Sequence, residues 1–165
     1  MDRQKTCCFS GHRASKLPWG SNELDPRCLS LKRELDKTLK ALYSTGTRHF
    51  ICGMALGSDM YFAEAVIALR ASHPDVTLEA AIPCPEQAER WESSQRERYE
   101  HLVDACDVRT IISQHYTPDC MDRRNRYMIE NSSVLVAVFG GGTGGTFNTI
   151  RHALREGLRI VELDV

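Results

Sequence analysis

The 165-residue chain has no apolar run approaching the ~20 residues that a membrane-spanning helix requires. It also lacks a charge of one dominant sign: 21 Lys and Arg face 22 Asp and Glu, a formal net charge of -1. That balance excludes a general polyanion-binding surface and leaves room only for a local basic patch, so nucleic acid is not an expected partner. Aromatic residues are scarce, at 7% of the chain, so the core must rest mainly on aliphatic side chains. Met1-Asp2-Arg3-Gln4-Lys5 leads straight toward a strand instead of the apolar stretch of a signal peptide. A cytoplasmic location is expected.

Other absences concern chemistry. There is no G-x-x-x-x-G-K-[ST], hence no lysine of the Walker type for a triphosphate. A G-x-G-x-x-G in the first strand-to-helix turn and a G-x-S-x-G nucleophile elbow are missing as well. Seven cysteines are present, at positions 7, 8, 28, 52, 84, 106 and 120, with no C-x-x-C and no clustered His/Cys spacing. They read as small hydrophobes in apolar segments, and no metal site is expected. Cys84, between Pro83 and Pro85, is the thiol singled out for reactivity.

What is present alternates between the two apolar periods. Thr6 to Phe9 reads as a strand, followed by Ser10-Gly11-His12-Arg13 and a loop rich in Pro, Gly, Asn and Asp. Cys28, Leu31, Leu35, Leu39 and Leu42 recur at helical spacing, and Gly46 closes that helix. Phe50 to Cys52 is a second strand; Gly57-Ser58-Asp59 opens the next helix, with Ser58 or Asp59 suited to cap it, and Ala63, Val66, Ile67 and Arg70 on its inner face. Val76 to Ile82 is a third strand. A long helix from Glu86 to about Ala105 is expected next, its inward residues including Trp91, Tyr99, Leu102 and Val103. Val108 to Ile112, a helix from about Asp119 to Asn131, Val134 to Phe139, a helix burying Phe147, Ile150 and Leu154, and Ile160 to Leu163 complete the order. This alternation predicts an α/β fold of three layers in one domain over residues 1–165, a doubly wound, Rossmann-like parallel sheet with helices on both faces.

In such sheets ligands collect at the carboxyl ends of strands, and the notable residues fall there. The most informative stretch is the apolar run Val134 to Phe139 followed by GGGTGGT, Gly140 to Thr146. Glycines where a strand hands over to a helix leave main-chain N–H groups free to approach an anion at the positive end of the helix dipole. Gly141, Gly142, Thr143, Gly144, Gly145 and Thr146 are therefore expected to form a phosphate-binding loop. Gly11 and Arg13 follow the first strand, with His12 able to hydrogen-bond a base or ribose hydroxyl, and Gly53, Gly57, Ser58 and Asp59 follow the second. Asp59 suits either a ribose hydroxyl or the helix cap. Arg124, on the helix before the glycine strand, can reach an anion on the loop or sit on a solvated basic face.

The series Phe9-Ser10-Gly11-His12-Arg13, Gly53 to Asp59, Ile82-Pro83 and Arg124-Asn125-Arg126-Tyr127-Met128 ending in the glycine loop resembles the YpsA/YoqJ-type proteins. These belong to the SLOG superfamily, the Rossmann-like group that includes DprA/Smf and the LOG proteins. The resemblance runs over essentially the whole chain. DprA-like members carry a G-x-R turn, matched by Gly11 and Arg13, and a G-x-x-x-G-x-D turn, matched by Gly53, Gly57 and Asp59. LOG-like members carry R-K-x-x-M before P-G-G-x-G-T-x-x-E, matched in part by Arg124, Met128, Gly141, Gly142, Gly145 and Thr146. Asn125 replaces the lysine, the proline is missing, and no acid follows Thr146 before Glu156.

The resemblance implies a pocket for a nucleotide-type ligand such as a nucleoside phosphate, ADP-ribose or an NAD derivative, and self-association into dimers. Phosphate would lie on Gly141 to Thr146 with Arg13 or Arg124 neutralising it, while Ser58, Asp59 or Asn125 would address sugar or base. Two alternatives stand beside it. One is hydrolysis of a nucleoside monophosphate's N-glycosidic bond, using Glu64, Glu79 or Glu130 as the acid. The other is single-stranded nucleic-acid binding.

Overall fold

The computed structural model describes residues 1–165. Six strands alternate with five helices: β1 (Thr6–Gly11), α1 (Pro26–Ser44), β2 (His49–Cys52), α2 (Ser58–Ser72), β3 (Thr77–Ile82), α3 (Ser93–Asp104), β4 (Val108–Ile111), α4 (Cys120–Glu130), β5 (Val134–Phe139), α5 (Gly145–Arg155) and β6 (Arg159–Asp164). All neighbouring strands run parallel, in the order β4-β3-β2-β1-β5-β6. This is a Rossmann-like sheet, as the alternation predicts. No helix is long and apolar enough to cross a membrane.

Each face of the sheet carries its own apolar layer. Cys28, Leu31, Leu35, Leu39 and Leu42 are buried along α1 at intervals of three and four residues, as their spacing dictates. With α2 and α3 they cover Phe9, Phe50, Leu78 and Val136 in the larger core cluster. On the other face Met128 and Ile129 of α4 and Ala153 of α5 pack on Cys8, Ile51, Leu135 and Ala137. Burying one such Leu, Ile or Phe contributes roughly 1.5–3 kcal/mol. All seven cysteines are unpaired thiols. Cys84, the thiol singled out for reactivity, is buried, and burial pushes it up to about 11.

Three local expectations are corrected. The helix expected from Glu86 begins only at Ser93; residues 85–90 form turns, and the Gln87 side chain there donates to the Gly53 carbonyl at 2.9 Å. Trp91, before the helix starts, is half-buried. In α5 the buried stripe is Thr146, Thr149 and Ala153, while Leu154 is 60% exposed and Phe147 and Ile150 are half-buried. Ile150 still packs against the core on this face, and Thr149 Oγ1 satisfies itself on the Gly145 carbonyl at 2.9 Å. Finally, neither Ser58 nor Asp59 caps α2. The N-cap is Gly57, at φ 90°, and both residues lie inside the first turn.

β1 sits between β2, whose crossover covers one face, and β5, whose helices cover the other. The loops leaving β1 and β5 therefore diverge, opening a crevice at the strand carboxyl ends.

Candidate functional site

A cleft of about 280 Å³ occupies that crevice. Its walls come from four segments: Gly11 to Lys16 after β1, Ala55 and Asp59 at the start of α2, Met121, Arg124, Asn125 and Met128 of α4, and Gly145 and Thr146 of α5. Along Met121, Asn125 and Gly145 it adjoins a groove of about 640 Å³ between α4 and α5.

The α5 wall is the anion-favouring one. From Gly141 to Phe147 no main-chain N–H donates to a protein acceptor; the first intrahelical bond runs from Asn148 N to the Gly144 carbonyl at 3.0 Å. These are the unfilled donors of a helix start, at the positive end of its dipole. Gly144 adopts φ 130°, a conformation closed to most side chains. Gly145 and Thr146 line the cleft, whereas Gly141, Gly142 and Thr143 are exposed beyond it.

Residues after β1 hold the loop in place. His12, 7% exposed, accepts from Gly140 N through Nε2 at 3.0 Å, and its own N–H donates to the Val138 carbonyl at 3.1 Å. Burial and the nearby Lys16 ammonium both lower its pKa, which keeps the ring neutral as that acceptor role requires. Lys16 Nζ donates to the Thr143 carbonyl at 3.2 Å. Lys16 escaped the sequence reading; its only signal is its place three residues beyond Arg13. Arg13 itself is exposed, lines the cleft and makes no side-chain hydrogen bond within the protein.

Arg124 resolves the ambiguity of its helix. Arg123 and Arg126 are solvated, but Arg124 is only 5% exposed, and burial lowers its pKa. Its Nη1 donates to the Gly53 carbonyl and its Nε to Asn125 Oδ1 at 2.8 Å. Gly53 is thus a spacer: a Cβ there would lie 2.5 Å from Nη1 of Arg124. Gly57 plays the same part on the other side, where a Cβ would meet the Ala14 nitrogen at 2.5 Å. Ser58 is fully buried and binds the His12 carbonyl through Oγ at 2.8 Å, fastening the β1 loop to α2 rather than facing the cleft. Between these glycines Met54 takes φ 58°, the one non-glycine residue with positive φ.

Asp59 is the sole carboxylate lining the cleft. One oxygen, Oδ2, accepts from Ala55 N at 3.0 Å. Burial pushes the carboxyl up to about 6, against the opposing pull of Arg124, the Ala55 hydrogen bond and Arg13. The acids considered for hydrolysis lie elsewhere. Glu64 pairs with Arg98 at 2.7 Å, Glu130 borders the α4–α5 groove, and Glu79 is buried within a hydrogen-bonded cluster on β3.

Similarity to known proteins agrees with this geometry. DNA processing protein A from Helicobacter pylori, whose structure is described for its single-stranded DNA binding mode, superposes with a TM-score of 0.65 at 15% identity, over 99% of this chain and 66% of that one. DprA from Streptococcus pneumoniae superposes at 0.52 and 11% identity, over 96% of this chain and 58% of that one. The chain thus spans about two thirds or less of either structure, and the likeness is one of fold. Among relatives by sequence, the SPbeta prophage-derived protein YoqJ of Bacillus subtilis (strain 168) is 29% identical over 142 residues, 78% of this chain and 83% of its own length. A UPF0398 protein of Bacillus thuringiensis (strain Al Hakam) is 29% identical over 154 residues, 92% and 83% of the two chains. The family model described as the YspA SLOG family matches residues 7–157, a span that holds every wall of the cleft. The chain therefore belongs to the YpsA family of SLOG proteins.

Proposed function

We propose that the cleft binds a small phosphorylated ligand of the nucleotide type, such as a nucleoside phosphate, ADP-ribose or an NAD derivative. The observation that carries this reading is the set of unpaired N–H groups at the start of α5, beside the Arg124 and Arg13 guanidiniums. A phosphate there gains charge-assisted hydrogen bonds without displacing any protein contact of Arg13. The sugar and base then extend toward α2 and α4. A ligand larger than a mononucleotide continues into the groove between α4 and α5. Binding, rather than hydrolysis by Glu64, Glu79 or Glu130, is the reading that the placement of those acids supports.

Gly145→Asp tests it. A Cβ at Gly145 meets nothing within 4 Å, and an acid in the first turn of a helix favours folding, so the variant adds negative charge at the proposed phosphate site without strain. Calorimetric titration with nucleotides is expected to show phosphate-dependent binding weakened roughly 10-fold or more in the variant. Equal affinities for both proteins would remove the loop from the site.

A second reading is favoured by the shared architecture with the Helicobacter pylori protein, which binds single-stranded DNA. On that reading the cleft takes one nucleotide of a longer strand, with Arg126, Arg151 and Arg155 of the adjoining groove near the backbone. An oligonucleotide shift that weakens steeply with salt, and that Gly145→Asp abolishes, would select it over the small-ligand reading.

A further inference from the structure

We propose that Asp59 makes the site selective for ligands with a free ribose hydroxyl, so that ribonucleotides bind in preference to their deoxy counterparts. This inference rests on the nucleotide reading above and adds the identity of the sugar. The donor and acceptor inventory of the cleft supports it. Arg124 directs its N–H groups to the Gly53 carbonyl, Asn125 Oδ1 and the Met121 sulfur, and none of them to Asp59. Asp59 Oδ2 has the Ala55 N–H, while Oδ1 receives no hydrogen bond from the protein and opens on the cleft. The residue is only 6% exposed, yet Oδ1 is not among the fully buried polar atoms, so in the free protein it meets the water of the cleft, which a ligand donor would replace.

A ligand must therefore bring a donor to Asp59 as well as an anion to α5. Phosphate oxygens are acceptors only and are repelled by a carboxylate. A ribose hydroxyl supplies the donor from the same molecule that carries the phosphate, and a neighbouring pair of hydroxyls can engage one carboxylate together. A deoxy sugar removes that donor and leaves Oδ1 desolvated against carbon. Sites built to hydrogen-bond a substrate hydroxyl reject the analogue without it for this reason.

The same geometry makes the preference depend on pH. Asp59 is ionised above about 6 and loses acceptor strength as it takes up a proton below that. The groups around it are Arg124 from α4, the Cys52 thiol from β2, and His12, Arg13 and Lys16 from the loop after β1. Protonation of His12 adds a cation that acts on the phosphate of both sugars alike, so it leaves their ratio unchanged.

The test is calorimetric titration of AMP, GMP, CMP and UMP, with their 2′-deoxy and 3′-deoxy forms, into the wild type, Asp59→Asn and Asp59→Ala. At about pH 8 the wild type is expected to prefer a ribonucleotide over one deoxy form by roughly 10- to 100-fold, the weight of a hydrogen bond to a charged acceptor. That ratio should approach one in Asp59→Ala, and in the wild type at about pH 5. A wild-type ratio within about 2-fold for every base, or one that Asp59→Ala preserves, would overturn the selectivity while phosphate-dependent binding still stood. A loss in Asp59→Ala that is equal for the ribo and deoxy forms and confined to bases carrying an amino group would assign Asp59 to the base and overturn it too. Absence of binding by all the nucleotides would sink the nucleotide reading itself. Should Asp59→Ala not fold, Asp59→Asn and the wild-type pH series decide alone.

Discussion

Two carboxylates are buried in this protein, and their surroundings are opposite. Glu79, 1% exposed in β3, receives His49 Nε2 at 2.6 Å, Thr110 Oγ1 at 2.7 Å and Tyr127 OH at 2.5 Å. Burial alone would raise its pKa, yet those hydrogen bonds hold it below the ordinary glutamate value. Asp59, nearly as buried, has one main-chain donor, and its pKa rises to about 6. The acid surrounded by donors ties β3 to β2, β4 and α4. The one left short of them borders the cleft. The acid with few protein donors is thus the one at the cleft, where the proposed ligand would supply another, and the fully bonded acid belongs to the framework.

The sharpest way to break this contrast is Glu79→Ala. It strands three half-buried polar partners and should cost about 3 kcal/mol in denaturant unfolding; a loss below about 1 kcal/mol would make the cluster incidental. Next comes the response to pH, where the two acids have opposite signs. Asp59 has a raised folded value, so its contribution is complete below its ordinary value near 4 and is lost as pH climbs through about 6, by up to about 3 kcal/mol. Glu79 has a depressed value, so its contribution is present above the ordinary glutamate range and is lost as pH falls through the folded value. Asp59→Asn should therefore gain stability relative to wild type as pH rises from about 4 to about 6, and Glu79→Gln should lose it as pH rises toward the ordinary glutamate value, below about 4.5, in paired urea titrations. Parallel curves for the two variants would erase the distinction.

Tyr127→Phe removes one donor from Glu79 and should cost about 2 kcal/mol in the same assay. The smallest structural effect is expected at Arg13, which makes no hydrogen bond within the protein. Arg13→Ala should change stability by less than about 0.5 kcal/mol while weakening nucleotide binding roughly 10-fold. A large fall in melting temperature would show the arginine to be structural.

Much of the framework was legible in the residue pattern. The leucine stripe of α1 and the apolar run of β5 act through near neighbours, which periodicity reports well, whereas the glycines at three strand ends were visible as turns but their close approaches to Arg124 and Ala14 were not. The misreadings share a different cause. Nothing in the spacing of His49, Glu79 and Thr110 shows that parallel pairing brings them together, because they meet across separate strands. Arg124 and Arg126 look alike on the helix, and only the approach of Gly53 distinguishes the buried one. The start of α3 differs from its expected place where Gln87 bonds to another loop, and in α5 the threonines share the buried face because Thr149 bonds the helix's own Gly145 carbonyl. In the cleft itself, Arg13, Asp59, Asn125 and the start of α5 lie where the motifs placed them, but Ser58 serves the loop joint and Lys16 was overlooked.

The order of strands has a consequence for biosynthesis. β5 is inserted between β1 and β6, so as the chain leaves the ribosome four strands can assemble while the edge of β1 toward β5 stays open. The cleft draws one wall from the residues after β1 and another from Gly145 and Thr146, and it cannot exist until β5 docks on the open edge of β1. A growing polypeptide consequently lacks the complete cleft until Gly145 and Thr146 have emerged and packed. On the proposed nucleotide reading, ligand capture would then be a signature of the completed fold, and a bound nucleotide would stabilise the finished sheet over its open precursor.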